Sequence, residues 1–479
     1  MRLETLRLQN FRGYVDREFT LHPQFNLVVG ENGTGKTSFL EAATVAIDSR
    51  LLGFRGHDSR NIWDRDVRHV LEFVEKRYRE LPQYPVSVKA TGFVHIARAS
   101  RSGVEGEITY VPVSNADKPN PLEQYVRWER SIDAERGKTT RRGANDLKKF
   151  AEAMALAVLK QESPVLPLLR YFGAGRLWES VRDTQGKALS KQKGKQPADV
   201  VDDADEIEKA LRDQERLSEP FYGYRMSVDK RCNPDDLIRW MGIERRNELD
   251  EEESSPALRL VYQAIERMLP EIASARYSTK LRTLILKYAN GERHTFSELS
   301  DGYRNVVAIA ADLAVKAAML NPQLAEKALE MTPGVVLIDE LDLHLHPKWQ
   351  RRIIGDLRRT FPLVQFICTT HSPFLIQSLR SGEELIVLDG QPTANLGHMP
   401  VEEIARGIMG VSNTEVSQEY EAMKQVARHY LETLEEAAIA PSDKQDSFKT
   451  RLAESIAPYA HNPAYQAFLE MKLAAKLGD

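Results

Sequence analysis

The sequence predicts an α/β fold, a mixed sheet with flanking helices, and three observations point to it. Gly30-Glu31-Asn32-Gly33-Thr34-Gly35-Lys36-Thr37 lies between the apolar run Phe25–Val29 and the helix-forming segment that opens at Ser38. Val335-Val336-Leu337-Ile338 is a second buried strand, ending in the acid pair Asp339-Glu340. A third apolar run, Val364–Cys368, leads through Thr369 and Thr370 to His371.

The first segment has the pattern of a phosphate-binding loop. Its glycines let successive backbone N–H groups turn inward around an anion, and the start of the following helix adds partial positive charge. Lys36 would reach the β- and γ-phosphates, and the Thr37 hydroxyl would hold Mg²⁺. The backbone from Gly30 through Ser38 is therefore the expected cradle for ATP.

Composition narrows the class. The chain has 479 residues, 42% apolar and 28% charged, enough for two or three domain-sized units. A net charge of −4 gives no global attraction to nucleic acid, although a local basic patch remains open. Two cysteines, Cys232 and Cys368, cannot build a disulfide framework or a four-ligand zinc site. Residues 1–7 alternate charged and apolar side chains with no signal-peptide core, and no uncharged apolar stretch approaches a bilayer span. A cytoplasmic protein without membrane contact is expected.

Four regions are expected along the chain. Residues 1–182 form an N-terminal lobe with the phosphate loop, including strands at Val86–Ala90, Gly92–Ile96 and Leu166–Phe172, the last ended by Gly173-Ala174-Gly175. Residues 183–280 hold a charged loop and a helical insertion. Between 183 and 218 a lysine run gives way to an acidic run, either a solvated insertion or a docking segment. Two helices follow over 235–270, separated by an acidic turn at Asp250–Glu253. Residues 281–394 form a C-terminal lobe. Residues 395–479 read as helices interrupted by Pro441 and Pro458, serving either oligomer and partner contacts or packing on their own core.

Within the C-terminal lobe, Asp339 is placed to bind Mg²⁺ and Glu340 to polarise an attacking water. Glu298–Arg304 opens a helix over about 302–320, with Ser300 suited to the N-cap. His371 either caps its strand or acts at the site. His344 and His346 alternate in Leu341–Gln350; as metal ligands they lack a third and fourth partner, so the favoured reading is a loop that they help to pack.

These segments in this order, with the opening Leu6–Gly13, resemble the RecF/SMC-like branch of the ABC ATPases. The likeness is strongest to the PtuA ATPase subunits of Septu anti-phage systems and their relatives in retron defence cassettes. It includes Leu168–Trp178, the run Glu340–Gln350, and Asn462–Lys472. The resemblance implies an ABC-type P-loop ATPase head that binds ATP and Mg²⁺ and assembles as a homodimer or higher homo-oligomer. In that setting Ser300 and Gly302 belong to a signature loop that meets the triphosphate held by the opposite copy. Asp342 communicates across the dimer, Glu340 is the hydrolytic base, and His371 is the switch that senses the γ-phosphate. The implied partner is a PtuB-like HNH endonuclease, with nucleic acid or a retron reverse transcriptase and its msDNA as further candidates.

Asp301 departs from the pattern, standing where transporters of the wider family carry glycine; this puts an acid near the phosphates and leaves two readings, ordinary hydrolysis or slow turnover with ATP acting mainly as a conformational ligand. No glutamine-loop residue is assigned. Two alternatives remain. One is a RecF-like DNA-repair ATPase. The other is an OLD-type chain that carries its own nuclease, against which stand the missing acidic metal-binding residues after His371.

Overall fold

The computed structural model describes residues 1–54, 60–74, 77–102, 107–112, 123–177, 221–388, 399–409, 425–434, 469, 471 and 472. The charged run at 183–218 and most of Asn462–Lys472 lie outside the described residues. The chain divides into two compact units, Met1–Val401 and Glu402–Asp479.

Two sheets build the first unit. An antiparallel sheet has the order β2-β1-β6-β9, from β1 (Arg2–Phe11), β2 (Tyr14–Thr20), β6 (Val86–His95) and β9 (Glu123–Ile132). The expected pair of strands at 86–96 is thus one continuous strand, whose Gly92 packs where a Cβ would lie 2.1 Å from the Arg2 carbonyl oxygen. Two further antiparallel pairs, β4 (His69–Val74) with β5 (Arg77–Pro82) and β7 (Ala97–Ser102) with β8 (Glu107–Pro112), form separate two-stranded sheets.

The second sheet is wholly parallel, in the order β10-β14-β15-β3-β16. Its strands are β3 (Phe25–Val29), β10 (Leu168–Phe172), β14 (Gly334–Ile338), β15 (Val364–Thr369) and β16 (Leu385–Val387), and every residue in them is buried. Continuous apolar runs suit strands covered on both faces. Gln365 joins the two sheets by pairing with the Leu3 backbone in both directions, at 2.8 Å each.

Helix α1 (Lys36–Leu51) packs against β1, β6 and β9 on one side and β14 and β15 on the other. All its residues except Thr37 and Ser38 are buried, so it lacks the polar face of a surface helix. Helix α2 (Asn145–Leu159) lies beside α1 and β9.

A helical layer covers the parallel sheet. Helix α3 (Pro234–Glu251) ends at Glu252 in the left-handed conformation, and α4 (Pro256–Met268) begins at the Ser255 cap; of the expected acidic turn only Glu252 and Glu253 lie between the two helices, while Asp250 and Glu251 close α3. Helix α5 (Asp301–Leu320) packs on α4 and β10, and α6 (Ile353–Thr360) also packs on α4. A small antiparallel sheet, β11 (Ile272–Ser278), β12 (Thr283–Tyr288) and β13 (Arg293–Thr295), precedes α5.

Buried cations fasten the segment that enters α3. Arg170 donates to the carboxylate of Asp312 at 2.7 Å and to the carbonyls of Met226, Asp229 and Arg231. Lys316 donates to the carbonyls of Gly223 and Arg225. In the second unit, the Tyr430 hydroxyl donates to the Leu469 carbonyl. Among the described residues, no helix is long and apolar enough to cross a membrane.

Candidate functional site

The site lies at the carboxyl ends of three parallel strands, where open α/β sheets place their ligands. β15 runs between β3 and β14, so its end lies between the phosphate loop and the acid pair. Gly33 and Gly35 adopt φ of 88° and 101°, a region that only glycine enters without strain. The Tyr14 hydroxyl donates to the Gly35 carbonyl at 3.1 Å and closes the loop from the β2 side. Thr34 turns its hydroxyl onto the Glu31 carbonyl, while Glu31 and Asn32 are exposed. The Lys36 ammonium lies along the loop, donating to the carbonyls of Gly30 at 2.7 Å and Glu31 at 2.8 Å.

Threonines connect the loop to the acid pair. The Thr37 hydroxyl donates to Asp339 Oδ2 at 3.0 Å, and Thr369 donates to Asp339 Oδ1 at 2.6 Å. The same Thr369 oxygen accepts the Glu340 N–H at 2.8 Å. Glu340 has φ of 49°, a left-handed conformation that costs a non-glycine residue energy. Asp339 is buried and Glu340 half-buried. Asp342 accepts from the Thr370 hydroxyl at 2.6 Å and from the His371 N–H at 3.4 Å, while the His371 residue is exposed.

The start of α5 packs beside the segment that follows the acid pair. Ser300 occupies the N-cap position, but its hydroxyl makes no capping bond and the residue is exposed. The cap expected from the sequence is therefore geometric only. Gly302 is required by a close approach: a Cβ there would lie 2.5 Å from the His344 carbonyl oxygen. Tyr303 stacks edge-on against Trp349 at 4.1 Å, and Asp301 lies 3.5 Å from Arg304, which partly offsets its charge. His344 and His346 are exposed and do not pack the loop as expected; buried Leu341 and Leu345 do, and His346 instead accepts the Lys348 N–H. No cluster of three or more potential metal-ligating His, Cys, Asp or Glu side chains exists among the described residues.

Two groups of arginines escaped the reading of the sequence as parts of the site. Arg176 is buried beneath the acid pair, donating to the carbonyls of Gly173, Asp339 and Glu340 and to the Asn305 side chain. Burial pulls its guanidinium down to about 10, which leaves it charged at neutral pH. Arg12 and Arg60 bracket Asp66 and also approach Glu41 on α1. Burial alone would raise the Asp66 carboxyl, but Arg60 holds it below its ordinary range. The available signal was an arginine directly after the glycines that end β10.

A family model described as an AAA domain matches residues 5–272, more than half of the chain, and a second AAA-domain model matches 199–377. The retron Ec83 probable ATPase of Escherichia coli is 24% identical over 408 residues, covering 82% of this chain and 72% of that protein. Septu protein PtuA of Bacillus mycoides is 40% identical over 94 residues, covering 20% of this chain and 12% of that protein. Among solved structures, the SMC head domain from Thermotoga maritima is 14% identical, with a TM-score of 0.36 over 80% of this chain and 94% of that one. Strand order, loop geometry and the family match carry the fold: the chain belongs to the AAA-domain family of P-loop ATPases, and its similarity runs to the retron ATPases and PtuA.

Proposed function

We propose that this chain is the ATPase subunit of an anti-phage defence system of the Septu or retron kind. It binds Mg·ATP between two copies and uses nucleotide state to restrain or release a partner HNH endonuclease of the PtuB type. The observation that carries this reading is the hydrogen-bonded series Thr37–Asp339–Thr369–Glu340, which unites the phosphate loop and the acid pair at one end of the parallel sheet. The names of the relatives support the defence setting.

Each residue then has a task. Lys36 exchanges its loop carbonyls for β- and γ-phosphate oxygens, and the N–H groups from Gly30 to Ser38 line the triphosphate. Thr37 and Asp339 offer a hydroxyl and a carboxylate within 3.0 Å of each other, hard oxygen donors that suit Mg²⁺. That ion, when bound, neutralises phosphate charge. Glu340 orients and polarises the attacking water, and His371 reads the γ-phosphate. Ser300, with its hydroxyl uncommitted to capping, and Gly302 meet the triphosphate of the opposite copy, and Asp342 lies on the same dimer face. Residues 395–479 make oligomer or partner contacts, with nucleic acid or a retron reverse transcriptase and its msDNA as further partners.

The experiment is nucleotide turnover with sedimentation of purified variants. Glu340→Gln should lower turnover by about 100-fold or more and trap an ATP-loaded dimer, while Lys36→Ala should abolish binding. A nucleotide-loaded protein that stays monomeric, with Ser300→Ala harmless, would overturn the dimer site. Efficient DNA cleavage by the purified chain alone would overturn the division of labour with a nuclease.

A further inference from the structure

We infer that Arg176 is a positioning residue that fastens the acid pair to the start of α5, so that a contact made at Ser300 sets the placement of Glu340. The inference deepens the ATPase reading above and rests on it.

The geometry is that of a four-way clamp. Arg176 Nε donates to Asn305 Oδ1 at 2.6 Å, on the second turn of α5. Nη1 donates to the carbonyls of Gly173 at 2.9 Å and Asp339 at 2.7 Å, and Nη2 to that of Glu340 at 3.2 Å. Asn305 continues the connection, donating through Nδ2 to the Leu343 carbonyl at 3.1 Å. The close approach of Gly302 to the His344 carbonyl and the Tyr303–Trp349 stacking fix the same helix to the same loop. Four segments therefore share one contact set: the end of β10, the acid pair, the segment after it, which includes Trp349, and the start of α5.

Two features separate this from ordinary packing. First, the four side-chain hydrogen bonds of Arg176 all end on neutral oxygens, although its residue is only 2% exposed. A buried cation satisfied only by neutral oxygens carries a desolvation cost that an apolar side chain would avoid. What the cation gains is direction, because a planar guanidinium fixes several acceptors at once. Second, Glu340 is held in a left-handed backbone conformation with its N–H on Thr369 and its carbonyl on Arg176. Strain of this kind persists only where the surroundings over-determine it. Arg176 supplies one of those determinants and connects it to α5.

The test uses the full chain with Mg·ATP and two variants. Arg176→Lys keeps the charge but cannot span four acceptors. Its ATP dissociation constant, measured with a fluorescent ATP analogue, should change less than threefold while kcat falls at least tenfold. Asn305→Asp keeps an acceptor for Arg176 but removes the amide donor to Leu343; kcat should fall at least fivefold and ATP-dependent dimerisation should weaken. A folded Arg176→Lys with wild-type kcat would overturn the inference. Should that variant not fold, Asn305→Asp decides alone, and wild-type turnover with wild-type dimerisation overturns the inference. Lys36→Ala is the separate control. Wild-type turnover no higher than that of Lys36→Ala means that the hydrolytic reading has failed. The clamp is then read from ATP-dependent dimerisation, and unchanged dimerisation in both variants overturns it.

Discussion

Thr369 shows how much a single hydroxyl does at this site. It donates to Asp339 and accepts from the Glu340 N–H, holding both acids from a strand that contributes neither. Replacing it with valine preserves shape but removes both bonds. Thr369→Val should cost about 1–3 kcal/mol of stability, read by urea unfolding, and should lower ATP turnover; unchanged values for both would show that the hydroxyl is dispensable. Lys36, Thr37 and Asp339 could be read directly in the sequence because their spacing from neighbouring glycines and apolar runs is local. Arg176 could not be placed in the site this way. Three of its four acceptors are backbone carbonyls and the fourth is an asparagine 129 positions away, so no side-chain pattern announces them.

At the level of elements, the boundaries of α3, α4, α5 and β14 follow from caps, apolar periodicity and the acid pair, and they fall close to where the sequence places them. The separate strands expected at Val86–Ala90 and Gly92–Ile96 differ from the structure because β6 runs unbroken through Thr91, and the missing side chain of Gly92 admits the neighbouring β1 backbone. Helix α5 also carries a titratable group in its interior. Burial pulls the Lys316 ammonium down to about 8, with Asp312 opposing the shift and Arg170 adding to it. An unfolded chain keeps that lysine charged up to about pH 10.4, so between pH 8 and that point the unfolded state binds more protons. Stability should therefore gain a contribution that rises with pH across this window. Urea midpoints at pH 8, 9 and 10 for wild type and Lys316→Met read it. The difference between the two proteins should change with pH, and a constant difference would contradict the assignment.

For the whole first unit, the layering of two sheets around α1 is invisible to periodicity, because a helix buried on all sides gives no amphipathic signal. Nucleotide binding should stabilise this arrangement as a unit. With Mg·ATP at 100 times its dissociation constant, the folded state gains about 2.7 kcal/mol, a shift that thermal unfolding resolves. Lys36→Ala should show no such shift, and an equal shift in both proteins would place the nucleotide elsewhere.

The embedding of α1 has one more consequence. A helix wedged between two sheets, which Gln365 also stitches together at Leu3, has no free side along which to slip. Ordering of the phosphate loop should therefore be passed to both sheets together, like a lever turning on its axle. Amide exchange along β1 and β15 should then slow in step when ATP is loaded, which turns a small event at a few backbone N–H groups into a readable change across the whole lobe.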